Sequence, residues 1–175
     1  MFSTSQTKAA EAFVQVAYES LHTNNATTVI AGASRMAGTF LFRSFGFQFD
    51  GAQPGSVALS EEANEKGPRL MQTLGGVLEH LGIHVGPSLV ESDGENDTPS
   101  LDFLTTQNLL EPGFDKVRRE NELSFEDAAL AVAAAVAFLI QHYQEVIDKD
   151  VAFGVAVYGF IEGTKTIPLP MPEAV

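Results

Sequence analysis

The run Ser124-Phe125-Glu126-Asp127-Ala128-Ala129-Leu130-Ala131-Val132-Ala133-Ala134-Ala135-Val136-Ala137-Phe138-Leu139-Ile140 decides how the rest of the chain is read. From Ala128 to Val146 the one charged side chain is Glu145. Alanine and leucine favour helix, and a helix without a polar face has to be enclosed by protein. Ser124 offers a hydroxyl to the first turn, and Asp127 stands where a capping box prefers Glu or Gln. The spacing predicts a helix over about 125–148, roughly 36 Å long at ~1.5 Å per residue. It is expected to be the central helix of an all-α bundle of five to seven helices with minor extended segments.

Working outward, Ala10, Phe13, Val14, Ala17 and Leu21 recur at helical spacing behind a cap at Ser3 or Ser5. A second helix is predicted from about Thr27 to Ser44, apolar almost all round apart from a narrow stripe of Thr28, Arg35, Thr39 and Arg43. Its small residues, Ala31 to Ser34 with Ala37 and Gly38, suit close approach of another helix. Phe45-Gly46-Phe47-Gln48-Phe49 alternates with period two and reads as extended. Ser60 caps a third helix that Gly67-Pro68 restarts and Gly82 stops in the left-handed conformation. A short helix is expected from Thr98-Pro99 to about Glu111-Pro112-Gly113. Val151 to Ile161 suits helix or strand, with helix favoured, opened by Asp150 and ended by Gly163. The expectation is a single helical domain over 1–175, with an acidic loop at about 84–100 and an extended proline-rich tail at about 164–175.

Composition bounds the function. The 175 residues carry a net charge of −13 and no cysteine. Disulfide frameworks, thiolate zinc sites and cysteine nucleophiles are thereby excluded. The negative charge argues against binding nucleic acid or an anionic membrane face. The apolar run Ala128–Ile140 is shorter than the ~20 residues that span a bilayer, and Met1–Lys8 lacks the pattern of a signal peptide. A soluble cytoplasmic protein is expected.

Few residues suggest chemistry. His80 and His84, beside Glu79, are four apart, but Gly82 interrupts the helical face they would share. His142 and Glu145 are three apart, without the further Glu-x-x-His copies of a carboxylate-bridged metal site. The acidic loop Glu91–Asp97 does not fit the calcium-loop pattern. No metal or cofactor is expected. Arg35 and Arg43 interrupt an apolar helix, where a guanidinium holds either an anionic ligand or an internal carboxylate. Phe40, Phe42, Phe45, Phe47 and Phe49 line either the core, a pocket or a subunit interface. Phosphate-binding glycine loops and nucleophile elbows are absent.

Three function classes follow. The favoured one is a non-enzymatic helical interaction protein that self-associates, with a homo-dimer as the expected assembly and a protein partner as the ligand class. The second is a small-ligand binder using Arg35, Arg43, Phe40, Phe45 and Phe47. The third is a metal-dependent enzyme using His80, His84 or His142 with Glu79 or Glu145.

Overall fold

A computed structural model describes residues 2–86 and 98–171. Among these the chain forms seven helices and no strand: α1 (Thr4–Leu21), α2 (Ala26–Ser44), α3 (Glu61–Lys66), α4 (Pro68–His80), α5 (Phe103–Glu120), α6 (Phe125–His142) and α7 (Lys149–Thr164). The expected all-α bundle is what forms. The acidic stretch Glu91–Asp97 lies outside the described residues, as does the tail beyond Met171.

Local chemistry sets most of the helix starts. Ser3 and Gln6 form a reciprocal capping box at α1. Asn25 accepts from the Thr28 amide at 2.7 Å, and Ser60 from the Ala63 amide at 3.1 Å. Ser124 accepts from the Asp127 amide at 3.0 Å, while the Asp127 carboxylate turns to the Ser124 hydroxyl at 2.7 Å. Gly82 adopts φ 77° after α4, and the Ile83 amide reaches back to the Leu78 carbonyl at 2.9 Å.

Three expected boundaries are corrected. First, α6 ends at His142 instead of running to 148, so it measures about 27 Å. Residues 143–147 form turns, and the Asp148 carboxylate caps α7 by accepting from the Asp150 and Val151 amides at 2.8 and 3.3 Å. Asp148 therefore takes the capping role expected of Asp150, and α7 runs one residue past Gly163. Second, α5 starts at Phe103, where the Asp102 side chain accepts from the Thr105 amide at 2.8 Å, and not at Pro99. Third, α5 continues through Pro112 to Glu120. Proline removes one helical hydrogen bond, but residues on both sides of it are anchored. Glu111 is held by Arg43, Phe114 and Val117 are buried, and Asp115 pairs with Arg118 and Arg119 at 2.8 and 2.9 Å. Tertiary packing outweighs the local preference.

Two helices form the middle. α6 packs on α1, α2, α4 and α7; α2 packs on α1, α5, α6 and α7. Over its 18 residues α6 is long and apolar enough to cross a membrane, but most of it is buried inside the molecule. Every residue of α2 from Ala26 to Phe42 is buried. The phenylalanine rings of Phe13, Phe40, Phe114 and Phe125 join α1, α2, α5 and α6, with centroids 5.0 to 6.5 Å apart.

The tightest seam is α2 against α7. A Cβ added to Gly38 would lie 2.7 Å from Gly163 Cα, and one at Gly159 would lie 2.7 Å from Ser34 Cβ. One at Gly163 would fall on the Arg35 carbonyl oxygen. The two backbones touch because these positions have no side chain, as the small-residue pattern of α2 predicts.

The tail is extended. Ile167 exchanges backbone hydrogen bonds with the 55–58 segment: Gly55 N–H to Ile167 O at 2.8 Å and Ile167 N–H to Ser56 O at 2.9 Å. Val57 and Thr166 form an isolated antiparallel bridge. The tail thus lies across the chain's own bundle.

Candidate functional site

Both arginines singled out from the sequence sit in the polar stripe of α2, and each is paired inside the molecule. Arg35 Nε meets Glu162 Oε1 at 2.9 Å, and its Nη1 donates to the Leu101 carbonyl at 2.7 Å and to Thr106 Oγ1 at 3.0 Å. Arg43 holds Glu111 with two parallel bonds, Nε–Oε1 at 2.6 Å and Nη2–Oε2 at 3.0 Å. This fork-on-fork geometry is the strongest an arginine makes with a carboxylate. Arg43 Nη2 also donates to the Leu169 carbonyl at 2.7 Å. Gln107 completes the arrangement: its Nε2 donates to Glu111, and its Oε1 accepts from the Leu169 amide at 2.9 Å. Arg43 of α2 and Gln107 of α5 thus converge on the backbone of Leu169 in the tail, and Glu111 holds both of them.

The phenylalanines divide into two groups. Phe40 belongs to the core described above, apart from Phe45 and Phe47. Phe42, Phe45, Phe47 and Phe49 form a separate cluster at the end of α2, with centroids 5.3 to 6.1 Å apart and Phe42 stacked on Phe49. Phe42, Phe47 and Phe49, together with Arg43, Phe125 and the tail residues Ile167 to Met171, line a groove of about 320 Å³. Arg43 belongs to this groove and Arg35 does not.

Among the described residues no three histidine, aspartate or glutamate side chains converge into a metal-sized cluster. His80, His84, His142, Glu79 and Glu145 are all exposed. The His142 ring contacts Tyr18 and Tyr143 edge-on at 5.5 and 4.9 Å. Burial pushes the Tyr18 phenol up to about 12, with Tyr143 adding to the effect. Among the described residues the Tyr18 hydroxyl is buried without a hydrogen-bond partner, as is Thr39 Oγ1. The Gly86 amide, donating at 2.9 Å, and the neighbouring Lys149 hold the Asp150 carboxyl below its ordinary range.

An unpaired surface lies on the far side of α7 from α2. Ala152, Ala156, Gly159, Phe160 and Gly163 are buried, whereas Gly154, Tyr158 and Ile161 face solvent. No charged side chain occurs from Val151 to Ile161, so the outer face is as apolar as the inner one. Other exposed apolar side chains flank it. Val57 and Leu59 lie beside the end of α7, where the Ala58 amide donates to the Lys165 carbonyl at 2.8 Å. Met71 of α4 shares a groove of about 200 Å³ with Ile161. The relative exposures are 72% for Val57, 77% for Leu59, 41% for Met71, 68% for Tyr158 and 50% for Ile161.

Sequence reading did not select Tyr158, Ile161, Gln107 or Glu111. The first two carried a signal, because eleven uncharged residues in a helix leave no side suited to water. The other two carried none, since Glu111 meets Arg43 across 68 positions and Gln107 meets Leu169 across 62. The chain matches no protein-family model, no curated protein and no solved structure.

Proposed function

We propose that the protein is a non-enzymatic interaction protein that self-associates through the outer face of α7. The observation that carries this reading is the exposed, uncharged face of Gly154, Tyr158 and Ile161, with exposed Met71 on a groove shared with Ile161 and exposed Val57 and Leu59 on the segment bonded to the end of α7. Large side chains bury roughly 60–120 Å² each if aliphatic and roughly 200 Å² if aromatic. The exposed fractions of Tyr158, Ile161, Val57, Leu59 and Met71 therefore leave roughly 300–400 Å² of apolar surface per protomer, within the range of the largest, often functional, patch on a protein surface. A symmetric pair would remove roughly 600–800 Å² from these side chains alone. The half-buried Val155 and Val157 bring the total towards the roughly 1,000 Å² that a specific interface has to clear.

One geometric feature favours a second copy as the occupant, against the mutual repulsion of two chains of net charge −13, which is least where the contacting face carries no charge. Gly154 and Tyr158 lie four residues apart on the same face, and nothing stands within 4 Å of a Cβ added at Gly154. Two antiparallel α7 helices related by a two-fold axis place each Tyr158 over the Gly154 notch of the other, a self-complementary contact of the kind such symmetry needs. The ligand and metal readings have less support: the guanidinium groups face internal carboxylates, and no three described His, Asp or Glu side chains converge.

Sedimentation velocity over the micromolar range tests the proposal. The expected result is a dimer that Tyr158→Glu with Ile161→Glu converts to a folded monomer. A wild-type chain that stays monomeric throughout that range rejects it.

A further inference from the structure

We infer that the cleft holding residues 165–171 is a peptide-binding site, occupied by the chain's own tail as an intramolecular ligand and able to take a proline-alternating segment of a second polypeptide in its place. The cleft is built from α2, α5, Phe125 of α6 and the 45–58 segment and contains no side chain of α7; it adjoins the proposed self-association surface at Val57, which pairs with Thr166, while its polar clamp and aromatic wall do not depend on that surface.

Three observations carry the inference. The first is the polar clamp. Among the described residues, Arg43, Gln107 and Glu111 make side-chain hydrogen bonds only to one another and to the backbone of Leu169, whose N–H and C=O are both engaged. Gln107 and Glu111 are buried, where an unpaired polar group is costly. The Leu169 N–H satisfies the otherwise unpaired Gln107 Oε1 and its C=O takes the spare Arg43 donor, so the clamp suits an extended backbone at this place and reads no side chain. The second is the main-chain pairing of Ile167 and Lys165 with Gly55, Ser56 and Ala58, with N···O distances of 2.8 to 2.9 Å. Adding an extended segment to exposed backbone is a recurrent mode of peptide recognition. The third is the aromatic wall. Phe42, Phe47 and Phe49 line, with Pro168 to Met171, a groove of about 320 Å³ beside the tail. Aromatic grooves take proline-rich segments because these lose little entropy on binding.

The occupant is thus an extended segment patterned apolar-Pro-apolar-Pro, as in Ile167-Pro168-Leu169-Pro170. It needs a free N–H at the residue that meets Gln107. Acidic side chains are disfavoured, because the one cation of the clamp is already matched by Glu111. The tail in place acts as a competitor whose effective concentration is about millimolar, so an outside peptide binds well only when the tail is loosened.

The test places one substitution on opposite sides of the contact. A fluorescent peptide with the sequence of residues 164–171 is titrated into the full chain and into two full-chain variants with weakened tails, Leu169→Pro and Pro168→Gly/Pro170→Gly. Leu169→Pro removes the N–H that Gln107 accepts. The expected result is weak uptake by the wild-type chain, uptake about tenfold tighter or more by at least one folded variant, and loss of that uptake when the peptide itself carries Leu169→Pro. The inference is overturned if neither variant takes up the peptide better than the wild-type chain at millimolar peptide. It is equally overturned if the Leu169→Pro peptide binds as well as the natural one.

Discussion

On its inner side α7 presents Ala152, Ala156, Gly159 and Gly163 to α2; on its outer side it presents Gly154, Tyr158 and Ile161 to solvent. Both faces are built from glycine and apolar residues, yet only the inner one is matched within the chain. There the glycines permit backbone-to-backbone contact with Gly38 and Arg35, and an added methyl has nowhere to go. On the outer face the space above Gly154 is empty. A helix apolar all round belongs in an interior, and the monomer supplies interior on one side only. The difference teaches that composition alone identifies a helix with two binding faces, whereas the fold identifies which of them has been used.

The largest effect that tests this contrast is expected at Gly163. Gly163→Val drives a branched side chain into the α2 backbone and should cost about 3 kcal/mol or more, at or beyond the top of the usual overpacking range. Urea unfolding followed by circular dichroism reads the loss. Tolerance of valine there would mean that the α2–α7 seam is looser than described.

Glu111→Ala comes next. It leaves Arg43 nearly buried without its carboxylate, and breaking a buried pair in this way costs about 3 kcal/mol. The double variant Arg43→Met/Glu111→Leu should recover much of that, because two apolar groups need no partner. A double variant no better than the single one would show that the tail contacts, and not the stranded charge, set the cost.

The pH dependence of stability gives an intermediate effect. The Tyr18 phenol ionises near 10 when unfolded and near about 12 when folded. The folded state therefore holds this proton more tightly. Its contribution is whole below pH 10 and is lost as the pH rises towards 12. Unfolding midpoints measured across that window should fall less steeply in Tyr18→Phe than in the wild-type chain. Parallel slopes would remove Tyr18 as the cause.

The smallest effects return to the glycine contrast. In the dissociated chain, below the concentration at which it pairs, Gly154→Ala should stabilise the fold by roughly 0.5–1 kcal/mol, because alanine favours helix and meets no neighbour within the chain. Opposite signs for alanine at 154 and at 163 in one thermal-unfolding series would sharpen the distinction between the two faces. Equal signs would break it.

How much of this was legible depends on whether the controlling interaction is local. Caps at Ser3, Ser60 and Ser124 and the stop at Gly82 act over three to five residues, so the sequence displays them directly. Pro112 was misjudged because its local penalty is outweighed by contacts with α1 and α2; a Cβ at the adjacent Gly113 would lie 2.7 Å from Val16 Cγ1. The end of α6 was overextended because Asp148 serves the following helix. The arginines stood out as odd residues, but their partners did not, since Arg43 reaches Leu169 across 126 positions. Phe40 was grouped with Phe45 and Phe47 by proximity in the chain, whereas the helix turns it into the core.

The most direct measurement of the central claim uses the absence of any native cysteine. Gly154→Cys, Tyr158→Cys and Ile161→Cys each place a lone thiol on the outer face of α7, and Lys116→Cys places one on the exposed side of α5. Disulfide formation requires Cα atoms within roughly 7 Å, so only positions near a two-fold axis cross-link readily. Under mild oxidation at micromolar protein, the account predicts a covalent dimer from at least one of the three α7 variants and none from Lys116→Cys. Dimer formation by none of the α7 variants, or as efficiently by Lys116→Cys, would contradict it.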